Sequence, residues 1–516
     1  MTRTTRLAII LSILAVAVRL IGLNQPYIDH WSWRQSDVAA IARNYFQGGF
    51  HFAHPQIDWA GDAPGYVGTE FPILSFIAAI CYKICGVHEW IGRFQAVILF
   101  AISLSFFFLL VRKVSGEIAA VWALFFYSFA PIGIMASRCF MPDMPSLALS
   151  VIGLYFFQRW IESEPDWPIR STRLRQTSGG QAPFFVAAIA ISLSILIKLP
   201  SAIIGAPLGC LAFQRFRTPP LRLGAVFRRL DLWIFAAIAL LPAALWYWHA
   251  YQIALQFYPH HFFGAGGIKI MSIGWYLKIA KELVTSTLTP FLFVLGGIGI
   301  LITRICPERQ SNGSTSSTRP FRWWLAAMIV FVVIVGYGNR HPWYQLPFIP
   351  IAAAFAGTAC AFVGRRISSR AVKISFSILL ALSFSFSALL YARDFYQPTA
   401  APLRDAGLKL KAITPATALV AASDNGDPTV LYYAERKGWH FLEKNGIYDG
   451  EPKDSAQAIA DLEELRKRGA SYLVFTSNTS WWLDYYEQLG RYVQSNSALV
   501  DATPEFRIYK FNPVLK

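Results

Sequence analysis

Charge is scarce in this chain. Only 15% of its 516 residues are Asp, Glu, Lys or Arg, and 55% are hydrophobic. The mean hydropathy is +0.40. A balance of this kind excludes an ordinary soluble protein, whose surface needs far more charge. Cysteine is scarce too, with six residues: Cys81, Cys85, Cys139, Cys210, Cys306 and Cys360. None lies beyond residue 393, and no spacing among them fits a zinc site or a disulfide framework. Cys81 and Cys85 read as small packing residues of an apolar helix. The chain also lacks a phosphate loop. The basic, then apolar, start MTRTTRLAIILSILAVAVRLIGL carries no small-x-small cleavage site. It predicts an uncleaved anchor helix that enters from the cytoplasm.

Long apolar runs are what the sequence has instead. They cover 7–23, 94–111, 118–135, 146–160, 184–197, 201–213, 232–248, 288–302, 323–335, 348–363 and 374–390. These predict about eleven transmembrane helices across roughly 30 Å of hydrocarbon. A twelfth stretch, 71–85, is short and carries Lys83. If it spanned, the basic loops at 112–113, 215–229, 304–322 and 365–373 would all fall outside, against the positive-inside bias. It is therefore expected to lie at the interface or re-enter. The N-terminus is then cytoplasmic and the C-terminal region periplasmic.

The formal charge of +17 raises the question of nucleic acid. Residues 393–516 hold 15 Lys/Arg against 16 Asp/Glu, which leaves 32 against 14 for the rest. The excess therefore sits in short loops between apolar runs. It encodes topology, and no nucleic-acid partner is expected. The domain reading is a transmembrane part at 1–392 and a soluble periplasmic α/β domain at 393–516. In the latter, strands are expected at 418–422, 439–442, 471–475 and 506–511, with helices at 428–436, 454–468 and 481–490. That domain shows no catalytic motif.

The hydrophilic stretch 24–72 concentrates carboxylates beside the bilayer: Asp29, Asp37, Asp58, Asp62 and Glu70. Charge near hydrocarbon is unfavourable unless it is paired, wet or functional. Residues 36–46 predict a helix lying on the membrane surface. Ser36 is its expected N-cap, and Val38, Ile41, Ala42 and Tyr45 share one face. Asp37 in its first turn is the leading general base; a carboxylate merely favoured by the helix dipole is the competing reading. Glu70 and Asp143 are further acidic candidates, against readings as an interface carboxylate and a turn residue. Lys198 interrupts an apolar run and either snorkels or holds a phosphate. Arg34, Arg138, Arg340 and His341 are outer-loop cations, and Tyr344 is a hydrogen-bond donor. His260-His261 are too close in sequence to suggest a metal site, so no metal ligands are assigned, although a divalent ion stays open.

The chain resembles the GT-C fold glycosyltransferases that use lipid-linked sugars, in particular the bacterial group related to protein O-mannosyltransferases and the aminoarabinose transferase of lipid A. The residues that carry the resemblance are IARN at Ile41–Asn44, Glu70-Phe71-Pro72, GVHEWIGR at Gly86–Arg93, PDMP at Pro142–Pro145 and WYQLPFIP at Trp343–Pro350. It implies a multi-pass inner-membrane enzyme that inverts a sugar taken from a polyprenyl-phosphate donor. The acceptor would be a lipid, glycan or protein on the periplasmic side. Asp37 would be the base, with Glu70 and Asp143 orienting acceptor or cation, and Arg34, Lys198 and Tyr344 on the donor phosphate. Two departures stand out. Many relatives have Asp-Glu where this chain has Arg34-Gln35, and the aminoarabinose transferase has Lys where Phe71 stands. The alternatives from other classes are a flippase of lipid-linked glycans, which calls for paired broken helices, and a non-catalytic envelope assembly subunit.

Overall fold

The computed structural model describes residues 2–163, 181–214, 229–263, 267–305 and 318–513. Cys306 and most of the basic loops at 215–229 and 304–322 lie outside them. The chain divides into two compact units, each built from three separated segments.

The first unit comprises Met1–Gly22, Arg93–Trp246 and Gly264–Arg393 and is helical. Each of the eleven apolar runs falls on helix. By length and composition, four helical stretches among the described residues can cross a membrane, or five if one bent pair counts as a single span. They begin at Glu89, Leu230, Pro342 and Arg370. Two breaks follow from proline. The run at 118–135 divides into Glu117–Phe129 and Pro131–Ala136 because Ala130, which precedes Pro131, is extended (φ −63°, ψ 137°). Lys198, two residues before Pro200, is extended between Gln181–Ile197 and the 3₁₀ turn Leu199–Ile204. A third break, which the hydropathy pattern does not show, is a 103° bend between Ile273–Thr287 and Thr289–Ile305. Close helix packing uses small residues: a side chain on Gly357 would meet the Ala119 carbonyl at 2.2 Å. Arg19 is fully buried, donating to the carbonyls of Ala15 and Ser128 and lying 3.6 Å over the Phe100 ring.

The second unit comprises Leu23–Gly92, Tyr247–Phe263 and Asp394–Lys516. The cut at 392/393 read from sequence recurs at 393/394, but residues 23–92 and 247–263 group with the C-terminal segment. Its strands are β1 (Leu419–Ser423), β2 (Lys437–His440), β3 (Glu443–Lys444), β4 (Ile447–Tyr448), β5 (Ala470–Thr476), β6 (Ser497–Ala502) and β7 (Phe506–Phe511). Five form one sheet in the order β2-β1-β5-β7-β6, with β1 parallel to both β2 and β5. The helix Ser455–Lys467 begins as expected, with the Asp454 side chain accepting from the Gln457 N–H at 2.8 Å. The helix expected at 481–490 is instead two, Trp482–Tyr485 and Glu487–Asn496, broken at Tyr486.

The helix of the first hydrophilic stretch spans Ser32–Gly48. It starts four residues before the expected N-cap. Ser36 does not cap it; its hydroxyl hydrogen-bonds Thr429 Oγ1 at 2.9 Å. Nor does the helix lie on a surface. Arg34 to Tyr45 are all buried, and Ile41 and Tyr45 join one apolar cluster with Leu403, Val420, Val430 and Ile508. The helix packs against Ile73–Cys85 and Thr429–Ala434, within a cluster that also takes in residues of β1, β5 and β7. The helix Ile73–Cys85 has 13 residues, about 20 Å at 1.5 Å per residue, which is shorter than the hydrocarbon layer.

Candidate active site

Six polar residues converge at the carboxyl ends of β1 and β2. Asp424 directly follows β1, and His440 ends β2, with Ala422 and His440 in register. His440 Nδ1 lies 2.8 and 3.0 Å from the two Asp424 oxygens, and both residues are buried. Asp427, three residues on, accepts from Ser32 Oγ at 2.6 Å and from the Thr429 N–H at 3.0 Å. These bonds fix the first turns of Ser32–Gly48 against the turn that follows β1. One helical turn later comes Asp37, 3% exposed, whose Oδ1 accepts from Trp59 Nε1 at 2.8 Å. The Trp59 ring lies 5.4 Å from the His440 ring and 5.6 Å from the His261 ring.

Burial sets the charge states here. It pushes the Asp37 carboxyl up to about 6, against the Trp59 hydrogen bond and the attraction of Arg34 and His440. Asp427 is likewise raised to about 6 by burial, against its bonds from Ser32 and Thr429. Burial alone would lower His440; the Asp424 carboxylate outweighs it, aided by Asp37 and Asp427, and the imidazole ends above its ordinary value. His261 goes the other way, to about 4, through burial and the neighbouring Arg34.

Arg34 Nη2 donates to both Glu70 oxygens at 2.8 Å, and the guanidinium lies 5.0 Å over the Phe263 ring. Sequence reading gave these two residues to different partners, and the structure joins them. Asp58 is structural: it pairs with Arg43 and with Lys437 at 2.8 Å. Asp29 is structural too, accepting from the Trp31 N–H at 3.1 Å and Gln35 Nε2 at 2.8 Å as the helix begins.

In the helical unit, Asp143, Lys198 and Tyr344 line one cleft, with Ser150, Ser201, Trp324 and Trp343. Lys198 Nζ lies 3.2 Å from Asp143 Oδ1 and 4.7 Å from the Tyr344 ring centroid. Asp143 Oδ2 and Trp324 Nε1 are buried without a hydrogen-bond partner. A buried orphan acceptor and an orphan donor in one cleft suit a ligand that carries both complements. Arg138, Arg340 and His341 are not among the lining residues. Arg138 donates to the Gly22 carbonyl at 2.9 Å, Arg340 is exposed, and His341 stacks on Trp343 at 4.5 Å. Among the described residues, no three His, Cys, Asp or Glu side chains are grouped to hold a metal ion.

The architecture has known counterparts. The crystal structure of ArnT from Cupriavidus metallidurans bound to undecaprenyl phosphate aligns with a TM-score of 0.63 at 15% identity, over 99% of this chain and 98% of that one. The Archaeoglobus fulgidus oligosaccharyltransferase in its apo form aligns at 0.64 and 15%, over 93% and 70%. Archaeal AglB from the same organism, in complex with an inhibitory peptide and a dolichol-phosphate, aligns at 0.61 and 14%, over 99% and 74%. The chain has the GT-C fold. Within it, residues 64–248 match the family described as dolichyl-phosphate-mannose-protein mannosyltransferase. That interval holds Glu70, Asp143 and Lys198, but neither Asp37 nor Tyr344. Comparison with curated proteins returns no significant match.

Asp424, Asp427, His440 and Trp59 escaped the sequence reading, and His261 was weighed there only as a metal ligand. Asp424 and Asp427 fall between the strand expected at 418–422 and the helix expected at 428–436. The available signal was positional, since α/β sheets place ligand sites beyond the carboxyl ends of parallel strands where connections diverge.

Proposed function

We propose that this GT-C chain is a membrane-embedded inverting glycosyltransferase that moves a sugar from a polyprenyl-phosphate donor to a lipid, glycan or protein hydroxyl or amine. The observation that carries the reading is Asp37: a buried carboxyl, held by Trp59, with a pKa near the working range of a general base. In the proposed reaction Asp37 takes the acceptor proton as the acceptor oxygen or nitrogen attacks the anomeric carbon. The bond to the donor phosphate breaks, and polyprenyl phosphate leaves. Within the helical unit, the cleft of Asp143, Lys198 and Tyr344 is by itself a candidate site for a phosphate head group and its sugar hydroxyls. Arg34 and Glu70 act as one unit that supports the Asp37 turn. We place the reaction on the periplasmic face of the inner membrane, with about eleven spans.

The likeness to proteins whose structures hold undecaprenyl phosphate or a dolichol-phosphate supports the donor class. A flippase asks for paired half-spans. The helix at the 103° bend, Ile273–Glu282, carries Lys278, Lys281 and Glu282 and buries none of its residues, which is unlike a half-span. The test is direct. Purified protein is given a panel of radiolabelled undecaprenyl-phosphate-linked pentoses and hexoses with cell-envelope lipids as acceptors. Release of undecaprenyl phosphate with transfer of label is expected; no release with any donor overturns the reading.

A further inference from the structure

The sheet domain brings two residues to Asp37 that no motif announced. They sit where an α/β sheet places chemistry, at the carboxyl ends of adjacent parallel strands. Asp424 grips the His440 Nδ1 with both oxygens, which fixes the ring and its proton on that side. Trp59 touches both, its ring 5.4 Å from the His440 ring and its N–H on the Asp37 carboxylate.

We propose that Asp424 and His440 are positioning residues for Asp37: the Asp424 carboxylate holds His440 as an imidazolium, and that fixed cation keeps the buried Asp37 carboxylate ionised. This rests on the reading of Asp37 as the base. Burial raises the Asp424 carboxyl above its ordinary value, and the contact with His440 opposes that shift. Arg34 on its own helix attracts Asp37, but its guanidinium is shared with Glu70. Asp427 repels Asp37 and favours the charged form of His440. The Tyr448 ring, 6.4 Å away, adds no charge as a neutral phenol. His261, on the same indole as His440, is kept neutral beside Arg34. Of the two imidazoles on Trp59, only the one held by a carboxylate is pushed toward the cation. A site with three buried or partly buried carboxyls, Asp37, Asp424 and Asp427, needs that cation to keep its base charged at neutral pH.

The test is the pH profile of transfer by the full-length protein on the undecaprenyl-phosphate donor panel, from pH 5 to 9. His440→Gln should shift the acidic limb to higher pH by roughly one unit, with the rate returning toward wild type at pH 9. Asp424→Asn should shift it the same way by less, and His440→Lys should bring the limb back. A rate lowered equally at every pH, with the limb fixed, would mean a structural role and overturn the proposal. A second arm does not need turnover: imidazole NMR should show the His440 pKa falling in Asp37→Asn, because coupling between two sites is reciprocal. An unmoved His440 titration there overturns the proposal even where His440→Gln fails to fold. If Asp37→Asn itself keeps full activity, the glycosyltransfer reading of Asp37 fails instead, and the two failures are told apart.

Discussion

Asp37 and Asp58 are both buried carboxylates of one stretch, and they do opposite things. Asp58 sits between Arg43, Lys437 at 2.8 Å and Asn44 at 3.0 Å. Burial would raise it, but the two cations win and hold it below the usual carboxylate range. A lowered folded-state pKa adds stability above the unfolded value near 4, and that stability is lost as pH falls through the folded value. Asp58→Asn should therefore destabilise the protein by about 3–5 kcal/mol at pH 7, because it strands two cations. The difference from wild type should shrink on acidification below pH 4, read by thermal unfolding in detergent. Sequence singled out Asp37 as a carboxylate needing explanation. It ranked Asp37 above Asp58 without the physical ground, which is Lys437, far along the chain and brought in by β2. For the same reason Arg34 and Glu70 read as independent until the fold paired them.

At the scale of elements, the segment 58–61 is stitched to β2. The Gly61 N–H donates to the Gly438 carbonyl at 2.7 Å, and the Gly438 N–H to the Asp58 carbonyl at 3.0 Å. Gly61 has φ +59°, and a Cβ there would sit 1.8 Å from the Trp439 ring. Trp439 is fully buried and has no room to retreat. Gly61→Ala should cost about 2–4 kcal/mol from overpacking and left-handed strain together, read as a fall in Tm. Gly48→Ala, whose Cβ would meet nothing closer than Gln56 Oε1 at 3.6 Å, is the control expected to change little. Element types were largely legible because they rest on local pattern: the apolar runs, the capped helix at Asp454 and the strand Phe506–Phe511. The Ser32–Gly48 helix was legible as a helix, but its setting was not. Its apolar face predicts something to cover it, and a membrane surface and neighbouring helices cover it equally well on pattern alone.

For the molecule as a whole, the sequence suggested a chain cut once, while each compact unit draws on three separated segments of chain. The helix Ser32–Gly48 shares its core with strands almost 400 residues later, and hydropathy carries no trace of such pairing. Topology remains a statement about loops. In a cysteine-free background, Lys113→Cys should resist a membrane-impermeant thiol reagent applied to spheroplasts, and Tyr485→Cys, 71% exposed, should label. The reverse pattern would invert the proposed orientation.

The central claim is that the ionised Asp37 side chain removes the acceptor proton. Its most direct test is the single-turnover transfer rate of Asp37→Asn at pH 7.5. The variant removes a buried charge with a raised pKa, so it should fold at least as well as wild type. A loss of roughly 10²–10⁴-fold in rate with thermal stability kept is the predicted result. A folded Asp37→Asn protein that transfers sugar within about threefold of wild type would contradict it.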